Sequence, residues 1–172
     1  DGHRQSIVPH APYSVSKQLF QLINDFDTTS VISIHNQESR AEDQYYTLKK
    51  GDVTNLLQTI GINDDFFQPS GKSSLQTYLP LFAPSHPMIF VHNTYTTATD
   101  IEYAKAHNSN VHWCLCPNAN LYIENTLPDI DMLIQHTADI CIGTDSLSSN
   151  YQLSVLAELH TIKNKFPSID WE

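Results

Sequence analysis

Short apolar runs alternate with amphipathic stretches along the chain, the pattern of βα units built around a mainly parallel sheet. Ser6-Ile7-Val8-Pro9-His10 is the first apolar run. Ser14-Val15-Ser16 then caps a helix reaching about position 26, in which Leu19, Phe20, Leu22, Ile23 and Phe26 predict one apolar face. Ser30-Val31-Ile32-Ser33-Ile34-His35 predicts the second strand, and a polar tract over 38–50 leads to a helix over 52–60 that Gly61 stops. Residues 63–71 read as a loop and 73–82 as a short helix before Pro84. The third strand is predicted over 87–92, followed by a helix that Thr99-Asp100 opens and that runs to 106. The fourth spans 110–116 and is closed by Pro117. A helical piece over 128–136 precedes a fifth strand over 139–143, and the spacing of Leu153, Leu156, Ala157 and Leu159 predicts a last helix over 150–165. No repeat, heptad, charge block or linker interrupts this series, so residues 1–172 read as one α/β domain.

Composition narrows the function classes. With 172 residues, 40% of them apolar and 16% charged, the chain can bury a core without staples. Five glycines and nine prolines exclude a collagen-like or low-complexity chain. No apolar run approaches the roughly 18 residues of a membrane span. Nineteen acidic residues against nine basic ones, a net charge of −10, argue against nucleic acid as a partner. Three cysteines (Cys114, Cys116 and Cys141) with no secretory segment ahead of them point to a reducing, cytoplasmic compartment. The chain opens on Asp1-Gly2-His3 without Met and ends at Asp170-Trp171-Glu172 soon after a helical stretch, which suggests a piece of a longer polypeptide. Histidine is the outlier: there are nine, as many as Lys and Arg together.

The predicted strand ends carry the chemistry. The first run ends in His10, the second in His35, the third in His92 and the fifth in Gly143-Thr144-Asp145. In parallel α/β folds the carboxyl ends of the strands share one face, where ligands bind, so four metal-capable or acid/base-capable groups converge there. Taken singly, each histidine has a plainer reading as a satisfied polar side chain. His35-Asn36-Gln37-Glu38 sets a carboxylate three residues beyond a potential ligand, a spacing that brings both to one side of a tight turn. Such a pair suits a neutral imidazole that binds metal and a Glu that moves protons. The alternative for Glu38 is the start of a solvated loop, and the alternative for Asp145 is a cap on the next helix, with Ser146 to Asn150 as a capping turn.

Other motifs fall away. Gly71-Lys72-Ser73 resembles the end of a phosphate loop, but Phe66 stands where that loop needs a glycine. Neither HExxH nor GxSxG occurs. Cys114 and Cys116 share one strand face with His112 and read as small buried hydrophobes, while His107, His136 and His160 lie in or at the ends of helices.

Five segments in order resemble successive motifs of the amidohydrolase superfamily. They are His10-Ala11-Pro12-Tyr13-Ser14, Ile34-His35-Asn36-Gln37-Glu38-Ser39, Val91-His92-Asn93, Cys116-Pro117-Asn118-Ala119-Asn120-Leu121 and Ile142-Gly143-Thr144-Asp145-Ser146. The similar branch is that of the chlorohydrolases and the cytosine, guanine and S-adenosylhomocysteine deaminases. The resemblance implies a (β/α)8 TIM barrel, of which this chain holds about five βα units, the fourth to the eighth. It implies one divalent metal, Zn or alternatively Fe, with His35 and Asp145 among its ligands. Glu38 is expected to shuttle protons, Asp145 to take a proton from the attacking water, and His92 to orient that water rather than bind the metal. His10 and Asn120 are expected to meet substrate, Asn120 from a loop near the pocket. Cys116-Pro117-Asn118-Ala119-Asn120 departs from the family's more usual Ser at its fourth place. The chain also lacks the family's His-x-His pair of strand one, as it lacks three strands before His10.

The function so implied is that of a metal-dependent hydrolase acting on a non-peptide C–N bond, or a C–Cl bond, of a heterocycle. The chain alone is then expected to be inactive. The alternative is a non-catalytic α/β interaction module derived from such an enzyme. A small-molecule partner is expected, with a homodimer as the base-rate oligomer.

Overall fold

The computed structural model describes residues 5–27, 29–136 and 138–169; the chain ends that suggest truncation lie outside them. Four parallel strands form one sheet in chain order: β1 (Ile32–Asn36), β2 (Met88–His92), β3 (Val111–Leu115) and β4 (Asp139–Ile142). Each connection carries at least one helix, as parallel pairing requires. The helices are α1 (Lys17–Phe26), α2 (Arg40–Leu48), α3 (Asp52–Thr59), α4 (Ser74–Tyr78), α5 (Ala98–His107), α6 (Pro117–Glu124), α7 (Ile130–Gln135) and α8 (Val155–Lys165).

Strand alternation divides the sheet into two unlike faces. Ile32, Ile34, Met88, Phe90, Val111, Trp113 and Leu115 are buried and pack with Phe20 and Ile23 of α1, Leu75 and Tyr78 of α4, Ile101 of α5 and Leu133 of α7. The residues between them, Ser33, His35, Ile89, Val91, His112 and Cys114, are only half-buried on the opposite face. A second small cluster, Tyr45, Tyr46, Val53 and Leu57, ties α2 to α3.

Five expectations need correction. The first run, 6–10, forms no strand among the described residues. Pro9 has no N–H to offer a ladder, Ile7 and Val8 are 48% and 42% exposed, and the run is tied to β1 through the His35 N–H donating to the His10 carbonyl at 2.9 Å. Part of the polar tract is helix α2, capped by the Ser39 hydroxyl, and Pro117 opens α6 rather than a loop, so Asn120 is helical. α8 begins at Val155 with Ser154 as its cap, which removes the capping reading of Asp145 and of Ser146 to Asn150. On α1 only Phe20 and Ile23 are buried, whereas Leu22 and Phe26 are 67% and 68% exposed.

Candidate active site

The carboxyl ends of β1, β2 and β4 bring the singled-out residues together. His10, His35 and His92 form a row of edge-to-face rings, with centroids 4.7 Å apart for His10 and His35 and 4.6 Å for His35 and His92. Glu38 closes the row: its carboxylate lies 3.4 Å from His35 Nδ1 and 3.5 Å from His92 Nε2. The three-residue step from His35 to Glu38 is therefore a turn over the strand end, not a solvated loop. One donor atom each from His35, His92 and Asp145 lies within 4.8 Å of the others.

Backbone conformation explains how strand ends supply this geometry. Six described non-glycine residues have positive φ, and two of them, Lys49 and Asn125, end helices. The other four are Gln37 (φ 46°), His92 (78°), Asn93 (60°) and Asp145 (55°), all at the site. Left-handed backbone turns the chain sharply out of the strand and is uncommon for residues with a Cβ, so surrounding contacts must hold it. Those contacts are present. Asn93 Nδ2 donates to the carbonyls of Phe90 and Cys114, and its N–H to that of Asn36. Beyond β4, Asp145 accepts from the Ser149 hydroxyl, and Asn150 Nδ2 donates to the Thr144 carbonyl at 2.7 Å.

The electrostatics of the cluster are mutual. Burial alone would lower the pKa of His35, but the hydrogen bond and charge of Glu38, with the charges of Asp145 and Glu42, raise it. Burial would raise Glu38, yet His35 and His92 hold it below its ordinary value. His92 is depressed chiefly by burial. Its Nε2 is buried and makes no hydrogen bond, although it faces the cluster. A nitrogen left bare, beside a second imidazole and a carboxylate, is a donor set that suits a divalent ion of borderline softness. His35, His92 and Asp145 thus form a group that could hold such an ion.

Asn120 is buried, and its amide engages His92 Nδ1, the His92 carbonyl and the Thr94 hydroxyl. Both its polar atoms are occupied by protein, so its bonds are those of a tether for His92. Sequence reasoning also passed over Glu42 and Asp100. Each is a buried carboxylate whose partners are amides and hydroxyls around the same turn.

Comparisons with known proteins bear on the family and the fold. Residues 5–168 match the family model described as "Amidohydrolase family". The chain is 28% identical over 158 residues to the adenosine deaminase of Helicobacter pylori, covering 91% of this chain and 38% of that protein. It is likewise 28% identical over 165 residues to the aminodeoxyfutalosine deaminase of Nitratiruptor sp., covering 91% and 36%. Among solved structures, Helicobacter pylori aminofutalosine deaminase in complex with methylthio-coformycin superposes with a TM-score of 0.80 at 25% identity, over 95% of this chain and 40% of that one. The chain therefore spans about two fifths of the length of the relatives it matches. Its parallel strands and helices are part of a (β/α)8 barrel.

Proposed function

The chain belongs to the amidohydrolase family, and from that premise we propose that it is the C-terminal part, residues 1–172, of a metal-dependent aminohydrolase that releases ammonia from a 6-aminopurine nucleoside. The observation that carries the reading is the convergence of His35, His92 and Asp145 on one point with Glu38 beside them. The matched deaminases supply the substrate class, and their length supplies the reading that the chain is a part.

His35 and Asp145 would hold the metal, Zn or Fe, with His92 close enough to join them. The ion supplies Lewis-acid activation of a water, lowering its pKa toward neutrality. The chain's own residues do the rest. Asp145 takes the proton from the attacking water. Glu38, held ionised by His35, receives that proton from Asp145 and places it on the ring nitrogen, then takes the water's second proton from the hydroxyl of the adduct and places it on the amine as it leaves. His92, whose bare Nε2 faces the cluster, would accept a hydrogen bond from the attacking water and so orient it. His10, at the edge of the ring row, lies where a substrate would meet the cluster. Asn120 enters as the tether of His92 rather than as a substrate contact. A cytoplasmic setting goes with the three unpaired thiols; among the described residues no helix is long and apolar enough to cross a membrane.

The test uses the full-length protein, wild type beside His35→Ala. Elemental mass spectrometry is expected to find about one Zn or Fe per chain, lost in the variant. Ammonia release is measured with adenosine, 5-methylthioadenosine and S-adenosylhomocysteine, and chloride release with a chlorotriazine. Metal in neither protein, with no product from any substrate, would overturn the reading in favour of a non-catalytic interaction module. Chloride without ammonia would correct the leaving group.

A further inference from the structure

Glu42 lies on α2 and is fully buried, at 0% exposure. The Ser39 hydroxyl caps α2, which makes Glu42 the third helical residue. A Glu at that place ordinarily reaches back to the N–H of the cap itself. Here it reaches further. Its Oε1 accepts from the Gln37 N–H at 3.0 Å and its Oε2 from the Glu38 N–H at 3.2 Å, and the Ser74 hydroxyl donates to Oε1 as well. Left-handed Gln37 turns these two successive N–H groups toward one side, a concavity that receives an anion. The group it receives is the side-chain carboxyl of Glu42.

The side chain of Gln37 is held from the other flank. Its Nε2 donates to Asp100 Oδ2 at 2.9 Å, and its Oε1 accepts from the Thr96 hydroxyl at 2.7 Å. Asp100 in turn accepts from the hydroxyls of Ser73 and Thr97 and from Gln76 Nε2. Two buried carboxylates, one on α2 and one on α5, thus grip Gln37, the one residue between the end of β1 and Glu38, and the first of them also holds the Glu38 amide. We propose that Glu42 is the positioning residue for Glu38, setting the turn so that the Glu38 carboxylate stands between His35 and His92. The proposal rests on the role given to Glu38 above.

The experiment uses full-length protein carrying Glu42→Gln, with Glu42→Asp as a second variant that keeps the charge and shortens the reach. A Gln amide must present N–H₂ to one of the two backbone donors, so one bond is lost without removing bulk. Hydrogen exchange followed by mass spectrometry is expected to be at least about tenfold faster in the fragment carrying the amides of Gln37 and Glu38, and unchanged in the fragment over 88–92. For adenosine deamination, kcat is expected to fall about 10- to 100-fold with KM within about twofold and metal content intact. In a Glu38→Ala background, Glu42→Gln should cost less than about twofold more, because the group it positions is gone. Unchanged exchange at Gln37 and Glu38 in both variants would overturn the proposal, as would an equal kcat loss in both backgrounds. If the wild-type protein deaminates none of the nucleosides, the proposed function fails, and the exchange measurement alone still decides whether Glu42 holds the turn.

Discussion

Asn120 holds His92 at both ends: its Nδ2 donates to the His92 carbonyl at 3.2 Å, while its Oδ1 lies 3.2 Å from His92 Nδ1. The second bond from Nδ2, to the Thr94 hydroxyl at 2.7 Å, fixes which end of the amide is which. Because Oδ1 can only accept, Nδ1 carries the proton of the neutral ring. Nε2 is left as a bare lone pair facing Glu38, His35 and Asp145. One amide thus selects the tautomer that the cluster can use and pins the left-handed residue that carries it.

Removing that amide should act on chemistry rather than on folding. Asn120→Ala in the full-length protein is expected to lower kcat/KM for nucleoside deamination about 10- to 100-fold, the usual weight of a partner that orients a ligand or base. Helical circular dichroism should stay as in the wild type. Steady-state kinetics check it, and a variant of undiminished activity would show that His92 needs no such guide.

Glu38 bears a sharper expectation. It lies between two imidazoles, of which His35 holds it ionised through a hydrogen bond, and the reading gives it the proton transfers. Glu38→Gln keeps the shape and removes the base, so turnover should fall about 10²- to 10⁴-fold. Metal content should be unchanged. Loss of the metal in this variant would make Glu38 a ligand and call for another proton carrier.

Much of this site was legible in the chain, because a residue that ends an apolar run at a parallel strand's carboxyl end has one place to go. His35, His92 and Asp145 were found in that way, and His10 too, although its own segment joins no ladder. The helices with a clear apolar stripe were legible as well. What was hidden was polar and buried. α2 buries Glu42 beside Tyr45 and Tyr46, so its tract reads as solvated loop; only the Ser39-x-x-Glu42 spacing signalled a helix start. α6 buries Asn120 behind a proline that reads as a stop. A carboxylate or amide satisfied by backbone donors has the same letter as one in water, and only the fold separates the two.

The burial of Glu42 also makes stability depend on pH. Burial raises its carboxyl from 4.5 to about 7, against the bonds from Ser74, Gln37 and Glu38 that favour the ion. Between those values the folded protein keeps a proton that the unfolded chain releases, so this contribution is present at low pH and is lost as pH rises toward 7. At about 1.4 kcal/mol per unit of separation the effect amounts to a few kcal/mol. Glu42→Gln, neutral throughout, should therefore gain stability relative to the wild type between pH 5 and pH 8, as read by denaturant unfolding. A difference that stays constant with pH would show that Glu42 does not change its charge on folding in that range.

Gly143, at the end of β4, is where packing beneath the site leaves no room. A Cβ there would stand 2.9 Å from Cys114 Sγ and 3.2 Å from Cys116 Sγ. Cys114 and Cys141 are register partners across β3 and β4, and the Gly143 N–H donates to the Leu115 carbonyl at 2.9 Å, so the strand is held against the thiols. A cysteine is too short to swing its sulfur far, and the added methyl must push the strands apart or force a rotamer. Gly143→Ala is expected to destabilise the protein by about 1–3 kcal/mol, and to lower metal occupancy because Asp145 follows two residues on. Removing the nearer sulfur should restore room, so Gly143→Ala with Cys114→Ala should recover most of the loss that the single glycine variant suffers relative to its own background. Thermal unfolding and metal content of the four proteins measure both effects. Additive losses in the double variant would mean that the contact with Cys114 is not what excludes a side chain at position 143.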